Sequence, residues 1–177
     1  MKKVLAAVIT SCLLPLLGFS AHASKPTRIA FVCTGNTGRS LTAEMLARDL
    51  IAKKKLPIAV ISRAVDMDPY DTKPEPNAAT LLSQRGLDVS SHQATPLTPN
   101  DMRHSDLILT MTVRQKNEVI ELYPEAKAKV FTISEYAAGE VKDVEDAWGK
   151  PMENYEKMIK QMDQYVTLVL EKAPNPK

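Results

Sequence analysis

The stretch Arg28-Ile29-Ala30-Phe31-Val32-Cys33-Thr34-Gly35-Asn36-Thr37-Gly38-Arg39-Ser40 decides the fold. Arg28 to Cys33 is a short, unbroken apolar run, the pattern of a strand covered on both faces of a parallel sheet. A glycine-bearing turn follows. From about Arg39 to Lys53, Ala43, Leu46, Ala47, Leu50 and Ile51 recur at helical spacing. Outward from this strand–turn–helix unit, the same alternation continues. Pro57 to Val65 reads as a second strand, Asp66 to Pro76 as a loop, and Asn77 to Arg85 as a helix stopped by Gly86. Ser105 to Met111 and Lys129 to Ile133 read as further strands, separated by a helix from Val113 to Leu122. The last helix carries Met152, Tyr155, Ile159, Met162, Val166 and Val169, three and four apart, as a core stripe. No repeat or long linker intervenes. The expected fold is one α/β domain, a four-stranded parallel sheet with helices on both faces.

In such a sheet, ligands bind beyond the carboxyl ends of the strands, where the turn after Cys33 lies. Loop and helix N-terminal N–H groups can converge there on an anion. Gly35 and Gly38 permit the positive backbone angles such a cradle needs, and Asn36 tolerates them better than most residues. The expected cradle is therefore Thr34, Gly35, Asn36, Thr37, Gly38, Arg39 and Ser40. A cysteine at its centre feels the same positive field, which favours the thiolate. Arg39 can grip two phosphate oxygens in its planar fork. Ser40 can donate to the sulfur. Together these residues describe a nucleophile built into an oxyanion site. Three plainer readings compete: a buried strand-end thiol, a site that holds phosphate without turnover, and a nucleotide loop. The last fits poorly, because Cys33 stands where that loop's first glycine belongs and Arg39 where its lysine belongs.

Composition narrows the class. Of 177 residues, 44% are hydrophobic and 25% charged, with 12 Pro, 6 Gly and 2 Cys, which excludes disordered, collagenous and disulfide-framework proteins. The net charge of +2 gives no field for nucleic acid. Residues 1–23 read as a secretory signal: Lys2 and Lys3, an apolar run from Val4 to Phe19, then Ala21-His22-Ala23 before the expected cut at Ser24. The run of about 16 residues is interrupted by Pro15 and falls short of the roughly 20 that span a bilayer, which disfavours an uncleaved anchor. Lipidation at Cys12 is a second alternative. Cleavage removes both excess lysines and leaves residues 24–177 as one near-neutral domain with one cysteine, Cys33. The expected protein is exported, periplasmic or secreted, away from the membrane once cut, and monomeric.

Cys33-x5-Arg39-Ser40 after the first strand resembles the signature of the low-molecular-weight protein tyrosine phosphatases. Gly86 to His92, Asp106 to Met111, and Asp143-Val144-Glu145-Asp146-Ala147-Trp148-Gly149 followed by Tyr155 resemble later segments of that family. The resemblance spans residues 27 to 172. It implies a flavodoxin-like architecture and a phosphocysteine mechanism on protein phosphotyrosine or an aryl phosphate, without cofactor or metal. Cys33 would be the nucleophile and Arg39 the phosphate clamp. Asp146 would be the general acid, with Asp143 and Glu145 as rival carboxylates. Thr37 and Trp148 would wall the substrate slot. Ser62, with Asn36 and Ser40, would brace the loop. His92 and His104 lack metal-ligand spacing and read as structural.

The sequence also departs from the family pattern. Gly38 stands where relatives often have a second cysteine, Leu41 where they have the Pro after Arg-Ser, and Ala147 where they have the Pro of an Asp-Pro pair. Losing that Pro frees the acid loop's backbone. Thioredoxin-coupled arsenate reductases share the loop but need further cysteines, which residues 24–177 lack. Protein arginine phosphatases resemble it in Thr34-Gly35-Asn36-Thr37, with threonine where tyrosine-specific relatives carry an aliphatic residue. Phosphoarginine is thus the alternative substrate, and an exported phosphate-binding relative without turnover the non-enzymatic one.

Overall fold

The computed structural model describes residues 25–173. The expected signal in residues 1–23, with its cut before Ser24 and Cys12, lies outside them. β1 (Thr27–Cys33) leads into α1 (Arg39–Lys54), β2 (Ile58–Ala64), α2 (Pro76–Gln84), α3 (Pro99–His104) and β3 (Leu107–Thr110). Then come α4 (Val113–Leu122), a 3₁₀ turn at Pro124–Lys129, β4 (Val130–Thr132), α5 (Ile133–Ala138) and α6 (Met152–Lys172). The strands form one parallel sheet in the order β2-β1-β3-β4. β1 is the pivot: Phe31 lies opposite Ser62 of β2 on one side and Leu109 of β3 on the other. The crossovers leave in opposite directions there, so the β1 carboxyl end opens into the crevice where α/β sheets bind ligands.

Alternation along β1 divides its side chains between two cores. Ile29, Phe31 and Cys33 join the cluster that includes Leu46 of α1 and Met162 and Val166 of α6. Ala30 and Val32 join Met102 of α3, Ile108, Val119 of α4 and Val130. Helices therefore cover both faces, as expected. In α6 the stripe buries Tyr155, Ile159, Met162, Val166 and Val169, while Met152 at the first turn is only half-buried. The first turn of α1 is buried on several sides, at Ser40, Leu41, Thr42 and Glu44, because it plugs into the sheet's mouth.

Two short helices were not anticipated. α3 begins at a capping box in which the Thr98 hydroxyl accepts from the Asp101 N–H and the Asp101 carboxylate accepts from the Thr98 N–H. Its C-cap takes Ser105, so β3 starts at Leu107 and not at Ser105. α5 begins with the same device at Thr132 and Glu135, which shortens β4 to three residues. Asp101 is also gripped by Arg63, whose Nε and Nη2 donate to its two oxygens at 3.1 and 3.0 Å. Burial alone would raise its pKa, but Arg63 and Thr98 outweigh it and hold Asp101 below the usual carboxylate range.

Met162, fully buried between α6 and the sheet, tests the larger core. Met162→Ala is expected to cost about 2–5 kcal/mol. In urea unfolding this appears as a lower midpoint at unchanged slope.

Candidate active site

The loop after β1 is held by its carbonyls. Those of Thr34, Asn36, Thr37 and Gly38 accept from the Asp66 N–H, His92 Nε2, the Glu75 N–H and the Thr42 N–H, at 2.8–3.1 Å. In a planar trans peptide the N–H points opposite to the C=O. Anchoring these carbonyls outward therefore turns the N–H groups of Gly35, Thr37, Gly38 and Arg39 inward. The Asn36 N–H reaches Cys33 Sγ at 3.3 Å. Such a ring of donors is an anion cradle with sulfur at its base.

The backbone angle that closes the ring lies on Asn36, with φ +59°; neither Gly35 nor Gly38 has a positive φ. That corrects the expectation for the glycines. Asn36 tolerates the left-handed region because its amide is satisfied locally. Its Nδ2 donates to Ser40 Oγ at 2.9 Å, and its Oδ1 accepts from the Thr95 N–H at 3.0 Å. Gly38 lies close against Glu75: a Cβ there would stand 3.4 Å from Glu75 Cγ.

Ser40 Oγ lies 2.9 Å from Cys33 Sγ, as expected for a hydroxyl supporting the sulfur. Ser62 does not brace the loop as expected. It shares a face of β2 with Ile58 and Val60, so its hydroxyl turns to α1 and donates to Glu44. The bracing comes from His92 and Thr95, and from Gln115, whose Nε2 donates to Thr34 Oγ1 at 3.0 Å. His92 is thus a structural histidine. Among the described residues no cluster of metal-ligating side chains occurs.

A cavity of about 400 Å³ opens over Cys33. Thr34, Gly35, Thr37, Gly38 and Arg39 line its floor, and Asp146, Ala147 and Trp148 one wall. Of the three acids in the 143–146 segment, only Asp146 meets Arg39, Oδ2 to Nη2 at 2.8 Å. Asp143 instead accepts from the Val113 N–H at the start of α4, and Glu145 from Asn154. Asp146 Oδ1 accepts from the Trp148 N–H. Trp148 is 67% exposed, which makes it a rim residue and not a core one. Thr37 is buried at 6%.

An acidic wall was not anticipated: Asp66, Asp68, Asp71 and Glu75 also line the cavity, with Arg114 and Tyr155. Burial, reinforced by Asp71 and Asp146, raises the Glu75 pKa despite a hydrogen bond from Tyr155. Burial also raises Tyr155, as does its bond to Glu75, so the phenol stays protonated and donates.

The family model for low molecular weight phosphotyrosine protein phosphatase matches residues 28–174. A protein-arginine-phosphatase of Geobacillus stearothermophilus is 30% identical over 147 residues, covering 83% of this chain and 96% of its own. A probable low molecular weight protein-tyrosine-phosphatase of Ralstonia solanacearum is 33% identical over 129 residues, 72% of this chain and 83% of its own. The crystal structure of a low molecular weight protein tyrosine phosphatase from T. tengcongensis superposes with a TM-score of 0.78 at 33% identity, covering 82% of this chain and 99% of that one. Sequence, sheet order and the cysteine-centred loop agree: the chain belongs to the low molecular weight phosphotyrosine protein phosphatase family, whose members are cysteine-dependent phosphatases.

Proposed function

We propose that this protein hydrolyses phosphomonoesters of protein phosphotyrosine, or of a small aryl alcohol, through a phosphocysteine intermediate. The observation that carries the reading is the convergence of Cys33 Sγ, the inward N–H ring, Arg39 and Asp146 on one cavity. The Cys33 thiolate attacks phosphorus in line, forming the S–P bond as the O–P bond to the leaving group breaks. The N–H ring and Arg39 hold the equatorial oxygens. Asp146 gives its proton to the leaving oxygen. As a carboxylate it then takes a proton from the water that attacks phosphorus, and the S–P bond breaks to release phosphate and the thiolate. Trp148 offers an aryl group a face to stack on. Ala147 does not remove Asp146 from the cavity, which argues against the reading as a phosphate binder without turnover.

Two features favour phosphoarginine as a second reading: the small hydroxyl of Thr37 in the floor, and the acidic wall at Asp66, Asp68, Asp71 and Glu75, which suits a guanidinium. We further take residues 1–23 as a cleaved export signal, and the enzyme as a periplasmic or secreted monomer acting on phosphorylated protein.

Hydrolysis of an aryl phosphate is expected to vanish in Cys33→Ser. Asp146→Asn is expected to lose about 10²–10⁴-fold, most on esters with poor leaving groups. A folded, reduced protein that binds vanadate without any turnover overturns the enzymatic reading. The substrate follows from rates on matched phosphotyrosine and phosphoarginine peptides. Thr37→Val keeps the shape and removes the hydroxyl, so it is expected to shift that ratio about tenfold toward phosphotyrosine if the hydroxyl reads a guanidinium. An unshifted ratio removes Thr37 as the discriminator. N-terminal sequencing of the exported protein is expected to begin at Ser24; an intact Met1 or a lipidated Cys12 contradicts the signal reading.

A further inference from the structure

The loop carrying Asp146 and Trp148 needs a source of rigidity, since Ala147 lacks the fixed φ of proline. Its first half is fixed by the Val144 N–H bonded to the Met111 carbonyl at 2.9 Å. Its second half runs to Pro151, just before α6; the Lys150 N–H closes it on the Ala147 carbonyl at 2.9 Å, and Ala147 is buried in the same cluster as Tyr155. Tyr155 is buried at 2% in the first turn of α6. Its hydroxyl donates to Glu75 Oε2 at 2.8 Å. Glu75 is itself fixed to the cradle, its N–H on the Thr37 carbonyl at 3.0 Å and its Cγ against the face of Gly38. Beside this, Asn77 Nδ2 donates to the Lys150 carbonyl at 3.4 Å.

We propose that Tyr155 and Glu75 form a strut that positions the Asp146–Trp148 loop over Cys33, with Glu75 as its anchor on the phosphate cradle. The strut adds to the Arg39–Asp146 pair a second connection between the cradle, through Glu75 on Thr37 and Gly38, and the acid loop, through the burial of Tyr155 with Ala147. It sets how far Asp146 stands from the leaving oxygen, and it touches neither the sulfur nor the phosphate oxygens. Tyr155 and Glu75 are therefore positioning residues acting through Asp146. The proposal rests on the phosphatase reading for its kinetic test and not for its spectroscopic one.

The kinetic test measures kcat/KM across aryl phosphates of graded leaving-group acidity for the full chain, Tyr155→Phe, Glu75→Ala and Glu75→Gln. A misplaced acid costs most where protonation is needed most. Tyr155→Phe and Glu75→Ala are thus expected to lose about 10- to 100-fold on the poorest leaving groups and far less on the best. Glu75→Gln keeps an acceptor for the phenol and is expected to recover most of the loss. In an Asp146→Asn background, Tyr155→Phe is expected to add little. An equal loss on every ester, or a loss that persists without Asp146, overturns the proposal. The spectroscopic test uses Trp148, the sole tryptophan, as a reporter on the same loop. Tyr155→Phe and Glu75→Ala are expected to lower its fluorescence anisotropy at unchanged far-UV circular dichroism. Unchanged anisotropy overturns the strut whether or not the protein turns over substrate. Absence of turnover in the parent chain overturns the phosphatase reading alone.

Discussion

The site depends on Asn36 being held in a left-handed conformation that only a few residue types tolerate. Its side chain ties Ser40 to the Thr95 backbone, and its carbonyl receives His92. Release any of these and the peptide after Asn36 can rotate, taking its N–H out of the ring around Cys33. The remaining anchors are of the same kind, each a donor from outside the loop on a loop carbonyl. The cradle is thus shaped from its outer surface. Buried donor–acceptor pairs of this kind are costly to break, since each leaves an unsatisfied group behind.

That arrangement explains why the segment from Asp66 to Thr95, irregular apart from α2, matters as much as the strands. The sheet supplies the position of Cys33 through the pairing of β1 with β2 and β3. The crossover from β2 supplies the anchors: Asp66 and Glu75 on one side of the loop, His92 and Thr95 on the other. It also supplies the acidic wall of the cavity. Five carboxylates, Asp66, Asp68, Asp71, Glu75 and Asp146, line the opening above the cradle, and the inward N–H ring, Arg39 and Arg114 are the positive groups that offset them.

Much of this was legible in the sequence. The unbroken apolar run of β1 and the spacing from Cys33 to Ser40 gave the sheet, the cradle and the sulfur, because they are local patterns with one physical solution. The α4 boundaries and the α6 stripe were equally plain. The capping boxes at Thr98 and Thr132 stand in the sequence as Thr-x-x-Asp and Thr-x-x-Glu, so the starts of α3 and α5 carry a local signal. The long-range contacts were a different matter. Nothing near Ser62 says that its hydroxyl meets Glu44, nor near Glu75 that it meets Tyr155, 80 positions away. Those partners follow from which face of a strand a residue occupies and where a crossover loop comes to rest. Likewise, only the fold separates Asp146 from Asp143 and Glu145, by committing the other two to α4 and α6.

The pairing of Arg39 with Asp146 bears on why this position is arginine. Arg39 is 11% exposed and Asp146 56%, so the guanidinium is the buried partner and the carboxylate the one open to solvent. Asp146 occupies only Nη2 of a planar fork that presents five N–H donors. Among the described residues the other donors have no side-chain hydrogen bond, and Arg39 lines the cavity over Cys33. One guanidinium can therefore hold an incoming phosphoryl group while keeping the acid within a hydrogen bond of the same site. An ammonium, a single point charge, would have to give up one to take the other.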